Sequence, residues 1–212
     1  MALPKALRRL TPARLRDDVR LRSAFVGAGL IPPRTMHSED DAAVLRATAA
    51  GRRRVVEIGV YEGSSAVALC EVLEPEAELH LIDPFGHHGW ALPAGWGATE
   101  GASKRVVERA RRRHDGPRVT WHVDYSTAVA ARWEGTVDLV FIDGDHSEEG
   151  VRADWDDWHG FVEPGGATHR RPGAYEVQRD RQGEAGAHVH EPAGFQPSGL
   201  LGHMAPSVLT SA

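Results

Sequence analysis

The sequence predicts an α/β fold built on a doubly wound, mostly parallel sheet, and three observations carry that expectation. Apolar runs of strand length alternate with helix-period segments along most of the chain. A glycine turn, Gly59-Val60-Tyr61-Glu62-Gly63, joins the first such run to the helix after it. Acidic residues, Glu57, Asp83, Asp124 and Asp143, recur at the ends of four successive predicted strands. In a parallel α/β sheet those ends lie on one edge, where ligands bind.

The elements follow in order. Residues 1–37 read as a basic, broken helical arm, with Leu7, Leu10, Leu15, Val19 and Leu21 as its apolar positions and Ile31-Pro32-Pro33 as its stop. Ser38, with Asp41 three positions later, is a capping-box pattern, opening a helix whose Ala42, Leu45 and Ala49 share one face. Val55 to Ile58 form the first strand, and Ser64 is placed to cap the helix carrying Val67, Leu69 and Val72. Leu79-His80-Leu81-Ile82 make the second strand, ending in Asp83. A glycine-rich stretch from His87 to Gly97 with Trp90 and Trp96 reads as a lid loop. A helix from about Ala102 to His114, a third strand over Val119–Val123, a short helix from Ser126 to Trp133 and a buried strand, Val137 to Ile142, complete the alternation. Trp155, Trp158 and Phe161 recur at near-helical spacing and read as core or substrate-wall residues.

Chemistry is legible in the first two strand ends. A strand handing over to a helix through glycines presents backbone N–H groups to a ligand above it. The spacing does not suit a pyrophosphate, because Val60 and the bulky Tyr61 replace the small residues of a dinucleotide fingerprint. Asp83, at the tip of the second strand, is placed to accept hydrogen bonds from ribose hydroxyls, which makes a nucleoside the expected ligand. Here the chain resembles the class I S-adenosylmethionine-dependent methyltransferases, with Glu57 to Ser65 in place of their first motif and Ile82-Asp83-Pro84-Phe85 in place of their second. The resemblance covers roughly residues 38–166 and implies a Rossmann-like domain that binds S-adenosylmethionine over Glu57, Gly59, Tyr61 and Gly63. Its methionine carboxylate would lie near Ser64 and Ser65 and its ribose on Asp83, with Asp124 and Ser126 matching the family's adenine-contacting turn.

The catalytic turn is expected in Asp143-Gly144-Asp145-His146-Ser147-Glu148. Two acids and a histidine after a buried strand can bind a divalent cation or act as a general base, while the plainer alternative is an acid-enriched helix start. The stretch resembles the fourth motif of macrocin-type sugar O-methyltransferases and, more distantly, the catechol-type enzymes. In those relatives the acid matching Asp143 holds Mg²⁺ or a related ion. The resemblance therefore implies Asp143 and Asp145 as metal ligands, Asp143 as first choice for metal ligand or base, His146 as the alternative base, and a hydroxyl on a sugar or other small metabolite as acceptor. Alternatives from other classes are an NAD-dependent oxidoreductase and a nucleoside-binding remnant without turnover.

After Pro164-Gly165-Gly166 the family continues into an apolar fifth strand ending in a His-Asp pair, whereas this chain reads Ala167-Thr168-His169-Arg170. Arg170 stands where the second metal-binding acid is expected, and it would repel a cation. From Ala167 the composition is Gly-, Pro-, His- and Arg-rich, as a reading-frame change or a severed C-terminus would make it. The expected organisation is an arm over 1–37, a cofactor-binding domain over 38–166 and a loosely structured tail over 167–212. The last strands of the sheet are expected to be missing, which leaves Val137–Ile142 near an edge.

Composition narrows the partners. A net charge of −5 over 212 residues offers no basic excess for a phosphate backbone, so nucleic acid is not expected. Arg52-Arg53-Arg54 and Arg111-Arg112-Arg113 read as solvated helix ends. Cys70 is the single cysteine, which rules out an intrachain disulfide framework. No segment has the length of a membrane span and the N-terminus lacks an apolar signal segment, so a cytoplasmic location is expected. His87-His88, His169 and His188-x-His190 lack acids at ligand spacing and read as solvent-facing. A homo-oligomer is compatible with the composition, which does not set its size.

Overall fold

A computed structural model describes residues 18–35, 37–86, 98–145, 147–170, 175–179 and 185–189. The lid expected from His87 to Gly97, Leu7 to Leu15 of the arm, and His146 lie outside the described residues. The helices are α1 (Val19–Ala28), α2 (Glu39–Ala49), α3 (Ser64–Cys70), α4 (Glu100–His114), α5 (Ser126–Ala130) and α6 (Glu148–Trp158). The strands are β1 (Arg54–Ile58), β2 (Glu78–Ile82), β3 (Arg118–His122), β4 (Val137–Ile142), β5 (Val162–Arg170), β6 (Tyr175–Arg179) and β7 (Ala185–Val189). They form one sheet in the order β3-β2-β1-β4-β5-β6-β7. The first five run parallel, and β6 and β7 extend the sheet antiparallel.

Alternation along the strands splits the core into two layers. Val55, Leu79, Leu81, Leu139 and Phe141 point to the face covered by α2, α3 and α4, where they meet Leu45, Ala49, Leu69 and Val107. Val56, Ile58, Ile82, Val140 and Ile142 point the other way, onto Val129 of α5 and Trp158 of α6. Trp158 is fully buried, and Trp155 and Phe161 pack beside this layer, so these aromatics are core residues as their spacing predicts. β4 is therefore a central strand covered on both faces, which is why its sequence is nearly all apolar.

Local rules explain the helix starts. Ser38 and Asp41 close the predicted capping box, with Asp41 N donating to Ser38 Oγ at 3.1 Å and Ser38 N to Asp41 Oδ2 at 2.9 Å. Ser147 Oγ caps α6 by accepting from Gly150 N at 3.0 Å. α1 stops at Gly29 (φ +76°), ahead of the Ile31-Pro32-Pro33 stop read from the sequence, because Gly29 and Leu30 N–H both turn back onto Phe25 O. Ser64 is the first residue of α3 rather than its cap; that place is taken by Gly63 in a left-handed conformation (φ +90°). No helix among the described residues is long and apolar enough to cross a membrane.

The expectation of an irregular segment from Ala167 is corrected, and so is that of β4 near an edge. β5 runs through to Arg170, pairing Leu139 with Ala167, Phe141 with His169 and Ile142 with Arg170. Polar residues form this strand because ladder bonds use only the backbone, and small ones suit its crowded start. A Cβ on Gly166 would come within 2.7 Å of Val162 Cγ1 and 3.0 Å of Asp138 O. Ala167, Thr168 and His169 are all buried, with the His169 ring against Phe141 at 5.4 Å. The tail contributes β6 and β7 to the sheet beyond it.

Two predictions follow from the packing. Leu139→Ala, at a fully buried position between β1 and β5, should lower unfolding stability by about 3 kcal/mol in urea titration, within the usual range for deleting a buried leucine side chain. On the α5–α6 face, His80 Nδ1 lies 3.1 Å from His122 Nε2 under the Trp133 indole. Burial first, then His122 and Arg54, push the His80 imidazole down to about 4, with Glu78 opposing. The folded state thus refuses a proton that the unfolded chain takes near 6.5, so this histidine's contribution is complete above pH 6.5 and lost as pH falls toward 4. His80→Asn should flatten that part of the acid limb of a stability–pH curve; an identical limb in both proteins would refute the assignment.

Candidate functional site

The sheet order creates a crevice. The chain travels from β1 outward to β2 and β3, then crosses back to β4 on the other side of β1, so the loops after β1 and β4 diverge over the same edge. Parallel register aligns the strand ends there, with Ile58 opposite both Ile82 and Ile142 and Ile82 opposite His122. Backbone bonds extend the ladder one step further, from Gly59 N to Ile82 O at 2.9 Å and from Asp143 N to Ile58 O at 2.7 Å. Gly59 sits at φ +86°, and a Cβ there would overlap the Asp143 carbonyl and Gly144 Cα. The close approach of the two loops is what requires glycine at this position.

The turn from Gly59 to Gly63 is held from three sides. Asp83 Oδ2 accepts from Val60 N at 2.9 Å and Tyr61 N at 2.7 Å, while Oδ1 accepts from Phe85 N at 2.7 Å. From above, Ser103 of α4 donates its hydroxyl to Tyr61 O at 2.5 Å, and α4 crowds Gly63 so that a Cβ there would lie 3.2 Å from Val107 Cγ2. From the side, Glu62 is gripped by the Arg22 guanidinium of α1 at 2.6 and 2.7 Å and by Arg34 N at 2.6 Å. Tyr61 is thereby fixed in the left-handed region at φ +52°, and Phe85 at φ +46°. Non-glycine residues there carry strain that the surroundings must offset.

Two carboxyl groups lie beneath this turn, Glu57 fully buried and Asp83 half-buried. Glu57 is fully enclosed, accepts the Ser65 hydroxyl on Oε1, and has no hydrogen-bond partner for Oε2 among the described residues. Burial above all pushes its pKa well above the ordinary glutamate range; the Ser65 hydroxyl opposes this, and the nearby Asp143 and Asp83 add to it. Asp83 is also raised by burial, with its three backbone donors working against the shift. Because those donors already use three of the roughly four acceptor positions of a carboxylate, about one remains for a ligand hydroxyl.

The other predicted residues take different parts. Asp124 accepts from Tyr125 N at 2.9 Å and from the Arg132 guanidinium at 3.0 Å. Ser126 donates to Asp154 of α6, a buried carboxyl whose acidity is lowered by desolvation, that is, whose pKa is raised. Asp154 Oδ2 also stands 3.5 Å from where a Gly144 Cβ would be, so this residue joins the turn after β3 to the turn after β4. Asp143 lies at the crevice beside Glu57. At the exposed Asp145, Oδ1 accepts from Ser147 N at 2.8 Å at the start of α6, and a Cβ on Gly150 would come within 2.5 Å of its carboxyl carbon.

Among the described residues no donor set for Mg²⁺ is assembled. A hard divalent ion wants several carboxylate or carbonyl oxygens around one point. Among the described residues, no three His, Cys, Asp or Glu side chains gather in that way. Arg170 pairs with Ile142 in the backbone register of β5 and β4.

Sequence reading missed Arg22, Glu62, Arg34, Ser103 and Asp154. Glu62 lay inside the quoted motif, yet its partner stands forty residues away in the arm, and no local periodicity announces such a pair. Ser103 carried a weak signal, being a small polar residue on the buried face of α4.

Comparison with known proteins adds the family. A model described as a methyltransferase domain matches residues 56–169, more than half of the chain. Among solved structures, the chain is similar to the cofactor-bound Rv0187 protein from MTB at 20% identity and TM-score 0.49, over 73% of this chain and 65% of that one. It is similar to an O-methyltransferase from Bacillus cereus in complex with SAH at 17% identity and TM-score 0.47, over 76% and 66%. A third likeness is to the O-methyltransferase TomG from Streptomyces achromogenes in complex with SAM, at 16% identity and TM-score 0.48, over 73% and 65%. The chain thus spans about two thirds of the length of each of these proteins. With its alternating strands and helices, its glycine turn at the switch point and the matched span 56–169, the chain belongs to the methyltransferase-domain family.

Proposed function

We propose that this protein binds S-adenosylmethionine at the β1–β4 crevice and transfers its methyl group to a hydroxyl of a small molecule, a sugar or other metabolite. The observation that carries the reading is the Gly59–Gly63 turn clamped to the Asp83 carboxylate directly over the buried Glu57, whose Oε2 is unpartnered among the described residues. Such an enclosed oxygen fits a cationic or hydrogen-bond-donating ligand group, and the methionine ammonium is one. The remaining acceptor position on Asp83 fits a ribose hydroxyl. Ser64 and Ser65 begin α3 within reach of the methionine carboxylate, and the Asp124–Ser126 turn, tied down by Arg132 and Asp154, would wall the adenine.

Bound S-adenosylmethionine supplies a methyl group on a sulfonium, whose departure as a neutral thioether drives transfer. The chain's own tasks are to align the acceptor oxygen in line with that carbon, to exclude water and to receive the acceptor proton. Asp143, at the end of β4 and beside Glu57, is the residue proposed for the proton, with His146 as the second choice from the sequence. The concentration of carboxyl groups on this edge, Glu57, Asp83, Asp143 and Asp154, disfavours a polyanionic acceptor and supports a small neutral one. No step runs through a divalent ion.

Calorimetric titration tests the reading: S-adenosylhomocysteine should bind in the micromolar range, roughly −8 kcal/mol, and NAD should give no heat at the same concentration. Asp83→Asn should weaken S-adenosylhomocysteine about tenfold or more, because its NH2 group either faces the Val60 and Tyr61 N–H groups and loosens the turn or, flipped, faces Phe85 N and takes away the ribose acceptor. Unchanged affinity in that variant would sink the ribose assignment. Millimolar Mg²⁺ should leave the affinity and any methyl transfer unchanged, as should EDTA; Mg²⁺-dependent turnover lost in Asp143→Asn would show a complete metal site.

A further inference from the structure

The groups that hold the glycine turn from the side belong to the segment before the matched domain, and they form one connected set. Arg22 of α1 makes a fork of two bonds, Nε to Glu62 Oε1 at 2.6 Å and Nη2 to Glu62 Oε2 at 2.7 Å. Both partners are largely withdrawn from water, with side chains 17% and 5% exposed. The same Oε2 accepts from Arg34 N at 2.6 Å, and the Arg34 guanidinium reaches the Tyr61 hydroxyl at 3.1 Å. Three residues on, His37 Nε2 lies 3.4 Å from Ser64 Oγ. α1 is itself fastened to α4, since Arg109 donates to Val26 O at 3.0 Å and Gly27 O at 2.7 Å at the helix end. Residues 60–64 are thus flanked by Asp83 beneath, α4 above and the segment 18–37 outside.

We infer that Glu62 and Arg22 are positioning residues for the cofactor, holding Tyr61 in the left-handed turn that presents the loop, so that the segment 18–37 is part of the binding site and not an accessory arm. The inference rests on the cofactor reading above and goes beyond it. A left-handed tyrosine is costly to maintain; Tyr61 N donates to Asp83 and Tyr61 O accepts from Ser103 Oγ. Its chain neighbour Glu62 supplies the further restraint. Charge-assisted, forked and largely buried, the Arg22–Glu62 pair has a single geometry, which is what a positioning element needs. If the pair is broken, the turn relaxes toward an ordinary conformation, and the ligand must supply the ordering that the protein no longer does.

The test separates positioning from general stability and from the cofactor reading. Full-length wild type, Glu62→Gln, Arg22→Lys and a control, Val162→Ala, are titrated with S-adenosylhomocysteine well below their melting temperatures. Val162 is a buried residue at the start of β5, on the opposite edge of the sheet, where it pairs with Val137. Glu62→Gln should weaken binding at least about tenfold, and Arg22→Lys, which keeps the charge but loses the fork, about threefold or more. Val162→Ala should bind as wild type does despite a lowered melting temperature. Hydrogen exchange should show the Val60–Ser64 amides losing protection in Glu62→Gln while those of β1 and β4 keep theirs. Wild-type binding matched by both Glu62→Gln and Arg22→Lys would overturn the inference and leave the cofactor reading standing. No binding by wild type would overturn the cofactor reading and this inference with it. Should Glu62→Gln fail to fold, Arg22→Lys decides.

Discussion

The site is organised around one carboxylate. Asp83 ends β2, yet two of its three backbone donors, Val60 N and Tyr61 N, come from the turn after β1. The crossing is possible because β1 and β2 are parallel and in register, so that both strands end at the same level. Once the carboxylate is in place, the turn cannot take an ordinary conformation: two of its N–H groups must face Asp83, and Tyr61 goes left-handed. What lies above and beside it, Ser103 on α4 and the Arg22–Glu62 pair, completes a geometry the carboxylate has already imposed.

Burial of acids gives this edge its electrostatic character. Glu57, Asp83 and Asp154 all have pKa values raised chiefly by desolvation. Elsewhere the charges are spent differently. Glu108, on the outward face of α4, is paired with Arg111 and Arg112 and sits at about 2, well below the ordinary range. One chain therefore uses carboxylates as surface salt-bridge partners and, at the crevice, as withdrawn groups held by backbone and hydroxyl donors.

The two layers of the core explain why the crevice is rigid at its base. β4 passes between both layers, with Leu139 and Phe141 on one side and Val140 and Ile142 on the other. Asp143 leaves this strand with its N–H tied to Ile58 O, so its backbone is fixed even though the loop that follows is exposed. The same packing accounts for β5: its small and polar residues occupy a position where backbone pairing to β4, not side-chain hydrophobicity, decides the conformation.

The sequence by itself determined what depends on near neighbours along the chain. Apolar runs of strand length and helix-period segments marked β1 to β4 and the helices between them, Ser38 with Asp41 marked the start of α2, and glycines at 59 and 63 marked the turn after β1. Asp83 was legible as a strand-end acid because position relative to a strand is a local property. Tertiary structure decided whatever depends on partners distant in sequence. Arg22 with Glu62, Ser126 with Asp154 and Ser103 with Tyr61 are pairs between elements, and nothing in the spacing of either member names the other. Asp145 was legible as one of a cluster of acids, and the fold sets its Oδ1 to accept from Ser147 N at the start of α6. β5 looked irregular because its residues are poor strand formers, and it became a strand because β4 offered an unpaired backbone edge. Propensity is a weak local bias of tenths of a kcal/mol to about 1 kcal/mol per residue, whereas an open ladder of backbone donors and acceptors in a buried sheet costs more than that if left unpaired.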